Sequence, residues 1–288
     1  MSNKKSILVT GANGQLGMEF RALAPFYPEY VFLFASREEL SITDTSSVEK
    51  YFSENKIDYC FNCAAYTAVD KAETEKDLAF ESNGAAVGNL AAVCKKYNAL
   101  LIHISTDYVF NGQATSPYKE TDTTDPVNAY GASKLLGEQE AVKNNEVTVI
   151  IRTSWVYSSF GKNFVKTMLR LMSEKESISV VNDQFGCPTY AADLAAAMMA
   201  IIQNENIPAG IYNYSNKGMI NWYQFAVAIK EISDSNCLVN PVPSSQYPTP
   251  AKRPNYSVMD TSKIQQIFNV DIPAWRDSLE KCISILKS

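Results

Sequence analysis

The feature that most constrains this chain is a short apolar run that ends in glycines. Ser6-Ile7-Leu8-Val9 passes directly into Thr10-Gly11-Ala12-Asn13-Gly14-Gln15-Leu16-Gly17, and Met18-Glu19-Phe20-Arg21-Ala22-Leu23 continues with helical spacing. Buried strand, glycine-rich turn, helix is the context that a dinucleotide-binding loop requires. Glycine lets the turn bend tightly and lets backbone N–H groups approach a pyrophosphate, while the helix N-terminus adds partial positive charge. The spacing Gly-x-x-Gly-x-x-Gly differs from the commoner Gly-x-Gly-x-x-Gly.

Strands and helices alternate from there on. Tyr30–Ala35, Tyr59–Cys63, Leu100–Ile104 and Val147–Ile151 read as buried strands. Between them, a helix starts near Thr45, with Asp44 or Thr45 as cap, and another is expected to run unbroken from Ala79 to Tyr97 and carry Asn83. That alternation predicts an α/β fold with a doubly wound parallel sheet. Ligands of such sheets bind outside the carboxyl ends of the strands. Gly11–Gly17, Ser36-Arg37, Ala64–Thr67 and Thr106-Asp107 all lie at those ends. An NAD-selective site places an acid ~20 residues after the glycines, on the ribose 2′-hydroxyl. Ser36 and Arg37 stand there instead. Arg pairs with a 2′-phosphate, so the expected cofactor is NADPH, with NADH possible.

The strand Leu100–Ile104 ends in Ser105-Thr106-Asp107-Tyr108, and a helix follows at Asn128–Glu138. Tyr130 and Lys134 lie one turn apart on its face. A free phenol titrates near ~10 and is a weak acid at neutral pH. A cation beside it is expected to bring that value down, making Tyr130 the acid and Lys134 its activator. The Thr106 hydroxyl would hold a substrate oxygen against the phenol.

Past Tyr157 the pattern changes. Phe164–Ser173, Ala191–Gln203 (with Thr189 as its expected cap), Trp222–Ile232, Asp260–Phe268 and Pro273–Leu286 read as helices. Ile178–Val181 and Ile211–Ser215 read as strands, and Pro241–Pro254 is proline-rich. The expected division is a Rossmann-type NAD(P)-binding domain at 1–155 and a smaller, mainly substrate-binding α/β domain at 156–288, with some segments returning to the first sheet.

Composition excludes several classes. At 46% hydrophobic and 20% charged over 288 residues, the chain can bury a sizeable core. A net charge of −5 leaves no basic footprint for nucleic acid or an anionic membrane. No secretory signal or membrane-spanning run is read, so the expected location is the cytoplasm. The 6 cysteines are scattered, and Cys60-x-x-Cys63 falls inside an apolar strand, so reduced core thiols are expected and no metal site. The single histidine, His103, sits mid-strand and is assigned neither to a triad nor to a metal.

Taken together, Thr10-Gly11-x-x-Gly14-x-x-Gly17 and Tyr130-x-x-x-Lys134 resemble the extended short-chain dehydrogenase/reductase superfamily. Further segments are similar to the dTDP-4-dehydrorhamnose reductase family within it. These are Ala64–Glu73, Ser105-Thr106-Asp107-Tyr108-Val109-Phe110, Arg152-Thr153-Ser154-Trp155, Asn182-Asp183-Gln184-Phe185-Gly186 and Tyr247–Pro254. The resemblance implies hydride delivery from NAD(P)H to the C4 carbonyl of a dTDP-linked 6-deoxy-hexosulose. Tyr130, Lys134 and Thr106 are then catalytic. Gly11, Asn13, Gly14, Gln15, Leu16, Ser36, Arg37, Asp44, Ala64, Ala65, Tyr66 and Asn83, with Tyr130 and Lys134, bind the cofactor. Val69, Thr106, Asp107, Tyr108, Trp155 and Arg253 meet the sugar nucleotide, Arg253 at its diphosphate. Some members are dimers bridged by Mg²⁺ through glutamates. Here Glu19 stands at one such position but Ala192 at another, so a monomer without a bridging metal is expected.

Two other readings remain open. An epimerase or dehydratase on the same fold would retain its cofactor tightly, and dehydratases favour Asp-Glu after the hydroxyl residue, where this chain has Asp107-Tyr108. A non-catalytic regulatory subunit would keep the fold and the cofactor site without turnover.

Overall fold

Every residue of Lys5–Thr10 after the first is buried, as a strand covered on both faces must be. This is β1 of the computed structural model, which describes residues 4–287. The chain continues through α1 (Gln15–Leu23), β2 (Tyr30–Ala35), α2 (Thr45–Glu54) and β3 (Tyr59–Asn62). Then come α3 (Lys76–Phe80), α4 (Ala86–Lys96), β4 (Leu100–Thr106), α5 (Ala129–Asn144) and β5 (Val149–Thr153). After them the elements shorten: β6 (Val156–Tyr157), α6 (Phe164–Glu174), β7 (Ser177–Val181), β8 (Phe185–Gly186) and β9 (Thr189–Tyr190). The last are α7 (Ala191–Gln203), β10 (Gly210–Tyr214), β11 (Ile220–Asn221), α8 (Trp222–Ser233), β12 (Leu238–Val242), α9 (Ser262–Phe268) and α10 (Trp275–Lys287).

Six strands form one parallel sheet in the order β10-β5-β4-β3-β1-β2. Chain order reverses beside β1, so the carboxyl ends of β1 and β3 open a crevice there. One face of the sheet packs against α1, α7 and α9, the other against α2, α4 and α5. Fully buried Phe20, Phe61 and Tyr212 anchor the first layer. Each such ring contributes roughly 1.5–3 kcal/mol by leaving water. A third core lies apart from the sheet, where Tyr157, Val165, Phe225, Ile229, Leu279 and Cys282 join α6, α8 and α10. Strand β10 comes from the later half of the chain yet completes the main sheet beside β5.

Three expectations need correction. The helix expected from Ala79 to Tyr97 is broken by a π-helical stretch, Glu81–Ala85, centred on Asn83. Thr189 lies in β9 and does not cap α7, which starts after Tyr190 without a side-chain cap. Pro241, the first residue of the proline-rich stretch, belongs to β12, paired in parallel with β7 in a two-stranded ribbon, where a missing N–H is tolerated at an edge. The helix expected from Asp260 begins at Ser262, after the Asp260 carboxylate has accepted the Ser262 N–H. Among the described residues no helix is long and apolar enough to cross a membrane.

Candidate active site

The glycine loop is shaped by its own backbone. Gly11 has φ +61°, and a Cβ there would meet the Ala64 nitrogen at 2.7 Å. Only glycine lets the β1 and β3 ends close to that distance. The Gly14 N–H donates to the Gly11 carbonyl at 2.9 Å, and α1 then starts with no side-chain cap on its N-terminus. Its free N–H groups face the loop, which suits a phosphate. Asn13 and Gly14 are exposed, whereas Leu16 is buried beneath them. Gln15 is half-buried, and its Oε1 accepts from Asn163 Nδ2 at 2.9 Å, tying the loop to the segment before α6.

At the β2 end Ser36 is buried and Arg37 exposed. The Ser36 N–H donates to Glu39 Oε2 at 2.8 Å, leaving Arg37 outermost. Asp44 caps α2 by accepting the Ser47 N–H at 3.1 Å. At the β3 end the exposed Ala65 and half-buried Ala64 and Tyr66 lead into a strap. Asn83 holds that strap by accepting the Tyr66 N–H at 2.8 Å and donating to the Tyr66 carbonyl at 3.0 Å. Asn83 also donates to Ser133 Oγ at 3.0 Å, so its amide is committed to positioning the wall.

The Tyr130 helix is seated by its first turn. Asn128 caps α5 by accepting the Gly131 N–H at 2.8 Å. A Cβ on Gly131 would sit 2.1 Å from the Tyr108 carbonyl oxygen, so glycine is what allows α5 to touch the segment after β4. Tyr130 is thereby brought beside Thr106, close enough for that hydroxyl to act on the phenol. Thr106 Oγ1 accepts the Tyr108 N–H at 3.2 Å and donates to Asp107 Oδ1 at 3.0 Å. The rings of Tyr108 and Tyr130 meet edge to face at 5.9 Å. The other Asp107 oxygen, Oδ2, is buried without a hydrogen-bond partner.

The expected tuning of Tyr130 by Lys134 does not appear. Burial, and then the Asp107 carboxylate, push the phenol up to about 12, with the Thr106 hydroxyl pulling back. Lys134 points elsewhere: its Nζ donates to the Ile104 carbonyl at 2.6 Å and lies 3.4 Å from His103 Nε2. Burial lowers Lys134 to about 8, against the charge of Glu138. The cause of both shifts is desolvation, which disfavours whichever form is charged. Asp107 is itself raised to about 7 by burial, opposed by the hydrogen bond from Thr106. Glu138, one turn past Lys134, is locked to Arg152 at 2.7 Å with both side chains 3% exposed, fixing α5 to β5.

The remaining expected residues surround this cluster. Trp155 has φ +48°, strained for a bulky side chain, and stacks on Trp222 with ring centroids 3.6 Å apart. Arg253 donates to Asp70 Oδ2 at 2.8 Å and to the Ala251 carbonyl at 3.4 Å. Ala251 N–H donates to the other Asp70 oxygen at 3.2 Å. Val69 is half-buried next to Asp70. Asp70 and Trp222 did not emerge from the sequence. Only their contacts with Arg253 and Trp155 mark them.

The chain that builds this crevice, with a phosphate-compatible loop at one end and the half-buried Tyr130 phenol next to Thr106 beside it, matches one family along nearly its whole length. The model of the RmlD substrate binding domain matches residues 5–288. The chain belongs to this family. It is 41% identical over 297 residues to a dTDP-4-dehydrorhamnose reductase of Burkholderia thailandensis, covering 98% of this chain and 99% of that one. A solved dTDP-4-dehydrorhamnose reductase from Clostridium acetobutylicum superposes with a TM-score of 0.94 at 39% identity, covering 98% of this chain and 100% of that one. The Bacillus anthracis enzyme of the same name, solved in complex with NADP, gives 0.94 at 38% identity with the same coverage.

Proposed function

We infer that the chain reduces the C4 ketone of dTDP-4-dehydro-β-L-rhamnose with NADPH, giving dTDP-β-L-rhamnose. It is an NAD(P)H-dependent oxidoreductase performing the last step of dTDP-L-rhamnose biosynthesis, which feeds polysaccharide synthesis. The observation that carries the reading is the Tyr130 helix seated by Gly131 against the segment after β4, with the Tyr130 and Tyr108 rings meeting at 5.9 Å next to Thr106, in a family member matched over residues 5–288.

The residues fit the cofactor. The cradle at Gly11 would be filled by any Cβ, and the α1 N-terminus is uncapped by side chains. We assign Gly11, Asn13, Gly14, Gln15 and Leu16 to the pyrophosphate end and Ser36, Arg37 and Asp44 to the adenosine end. Ala64, Ala65, Tyr66 and Asn83 line the wall, and Tyr130 and Lys134 stand at the reacting end. When bound, NADPH supplies the hydride. Thr106 and Tyr130 then hold the ketone oxygen between two hydroxyls, where negative charge develops. Tyr130 gives its proton to that oxygen. A phenol near 12 is still much more acidic than an alcohol, whose value is close to that of water at roughly 15.7, so the transfer runs downhill. The high value also keeps Tyr130 protonated before turnover, as a donor must be. Val69, Asp107, Tyr108 and Trp155 are assigned to the hexose and Arg253 to the diphosphate.

Residues 156–288 are proposed to serve mainly as the substrate-binding part and 1–155 as the cofactor-binding part. The protein is proposed to be a cytoplasmic monomer without a bridging metal. In support, all 6 cysteines are free, as in reducing compartments. Glu19 is turned inward, accepting from Ser158 Oγ at 2.6 Å. A dimer that EDTA dissolves would refute the oligomeric part. The function is tested by making dTDP-4-dehydro-L-rhamnose in situ from dTDP-glucose with the two upstream enzymes and following NADPH absorbance. Turnover to dTDP-L-rhamnose by protein that purifies without nicotinamide is expected. Tightly retained nicotinamide and no net NADPH oxidation would favour the epimerase or dehydratase.

A further inference from the structure

His103, left without a role by the chemistry above, is part of a buried row of polar side chains. Thr10, Asn62 and His103 are register partners on β1, β3 and β4, so they stand side by side on one face of the sheet. All three are fully buried, and Lys134 is 2% exposed. The Ala64 N–H donates to Thr10 Oγ1 at 3.3 Å, and Thr10 Oγ1 donates to Asn62 Oδ1 at 2.7 Å. Asn62 Nδ2 donates to His103 Nδ1 at 3.0 Å, and His103 Nε2 faces Lys134 Nζ at 3.4 Å. A neutral imidazole that accepts at Nδ1 carries its proton on Nε2. That proton points at the lysine nitrogen. A neutral amine accepts it, whereas an ammonium would set donor against donor.

We propose that Thr10, Asn62 and His103 form a positioning chain that holds the Lys134 amine from behind the active site and ties it to the glycine loop. The proposal rests on the reading of Lys134 as part of the reductase site. Four polar side chains sealed in a sheet are costly unless each is satisfied, and apolar residues would fill the same row at no such risk. Burial holds His103 well below its ordinary value, so the ring stays neutral. The other groups facing Lys134 are Glu138 on α5 and Cys63 after β3. Glu138 is committed to Arg152, and burial pushes the Cys63 thiol up, keeping it uncharged.

The sequence contains 1 histidine, so ¹⁵N-histidine labelling reports on this ring alone. The expected spectrum is the Nε2–H tautomer, with no imidazolium at the pH where an unperturbed histidine, near ~6.5, is already half charged. Lys134→Met should move the Nε2 resonance and Asn62→Leu the Nδ1 resonance. An Nδ1–H tautomer, ordinary titration, or a Lys134→Met spectrum identical to the parent overturns the proposal. These readings need no turnover, so a failed reductase assay leaves them independent. In an active enzyme, His103→Leu should move the alkaline limb of the kcat profile up by about one pH unit, the worth of one hydrogen bond. His103→Gln should restore part of that shift. A His103→Leu profile that superimposes on the parent, with only the melting temperature lowered, leaves His103 as filler and refutes the chain.

Discussion

Gly11 and Arg253 both border the crevice, and they are held there by different means. Gly11 is placed by backbone: a +61° turn, a contact with Ala64, and the start of α1. Arg253 is placed by a side chain 183 residues away, Asp70, and by the Ala251 carbonyl. On the first side, local sequence dictates geometry within one turn. On the second, Asn128 reaches the Lys252 carbonyl, and Trp222 supports a strained Trp155. The nucleotide side is therefore rigid by construction, and the sugar side depends on pairs that either partner can break.

The sharpest attack on the backbone side is Gly11→Val. It forces a β-branched residue into the left-handed region and against the Ala64 nitrogen. NADPH affinity should fall at least ~100-fold by fluorescence titration, with a lower melting temperature. Intact binding would mean that the cradle is not backbone-built. On the side-chain wall, Arg253→Ala should raise the KM for the dTDP-sugar roughly 30-fold while changing NADPH binding little, a size typical of charge-assisted hydrogen bonds. An unchanged KM would take Arg253 out of the site.

Asp107 probes how much the same wall stores. Between 3.8 and about 7 the unfolded chain has released this proton while the folded one has not, so stability falls as pH rises through that window. Asp107→Asn removes the penalty and should stabilise the protein by about 1.5 kcal/mol at pH 8, with no gain at pH 4. Equal melting shifts at both values would show that burial does not perturb this carboxyl. The smallest effect is expected from Arg37→Ala, since Arg37 is exposed. The ratio of KM values for NADPH and NADH should rise roughly fivefold. No change would shift 2′-phosphate recognition to other groups.

The same contrast decides what can be read from sequence. The alternating apolar runs imply the parallel sheet, because strands buried on both faces are apolar over most of their length, as in Ile7–Val9, Tyr59–Phe61 and Val149–Ile151. The glycine loop, Thr106 and Tyr130 follow from position along those strands. The two-residue strands β6, β8, β9 and β11 carry no periodicity and form only because partners distant in sequence meet there. The direction of Lys134 was misjudged for a related reason. Helical spacing places it one turn from Tyr130, but its amine is drawn to Ile104 and His103 on a strand that spacing cannot see.

The central claim is that the Tyr130 phenol protonates the C4 oxygen. Its most direct test is Tyr130→Phe in the coupled NADPH assay with dTDP-4-dehydro-L-rhamnose. The ring and its contact with Tyr108 survive, and only the hydroxyl is lost. A fall in kcat of about 10²–10⁴-fold is expected, with NADPH affinity and melting temperature near those of the parent. A kcat within about threefold of the parent would contradict the claim, because a well-placed general acid is worth far more.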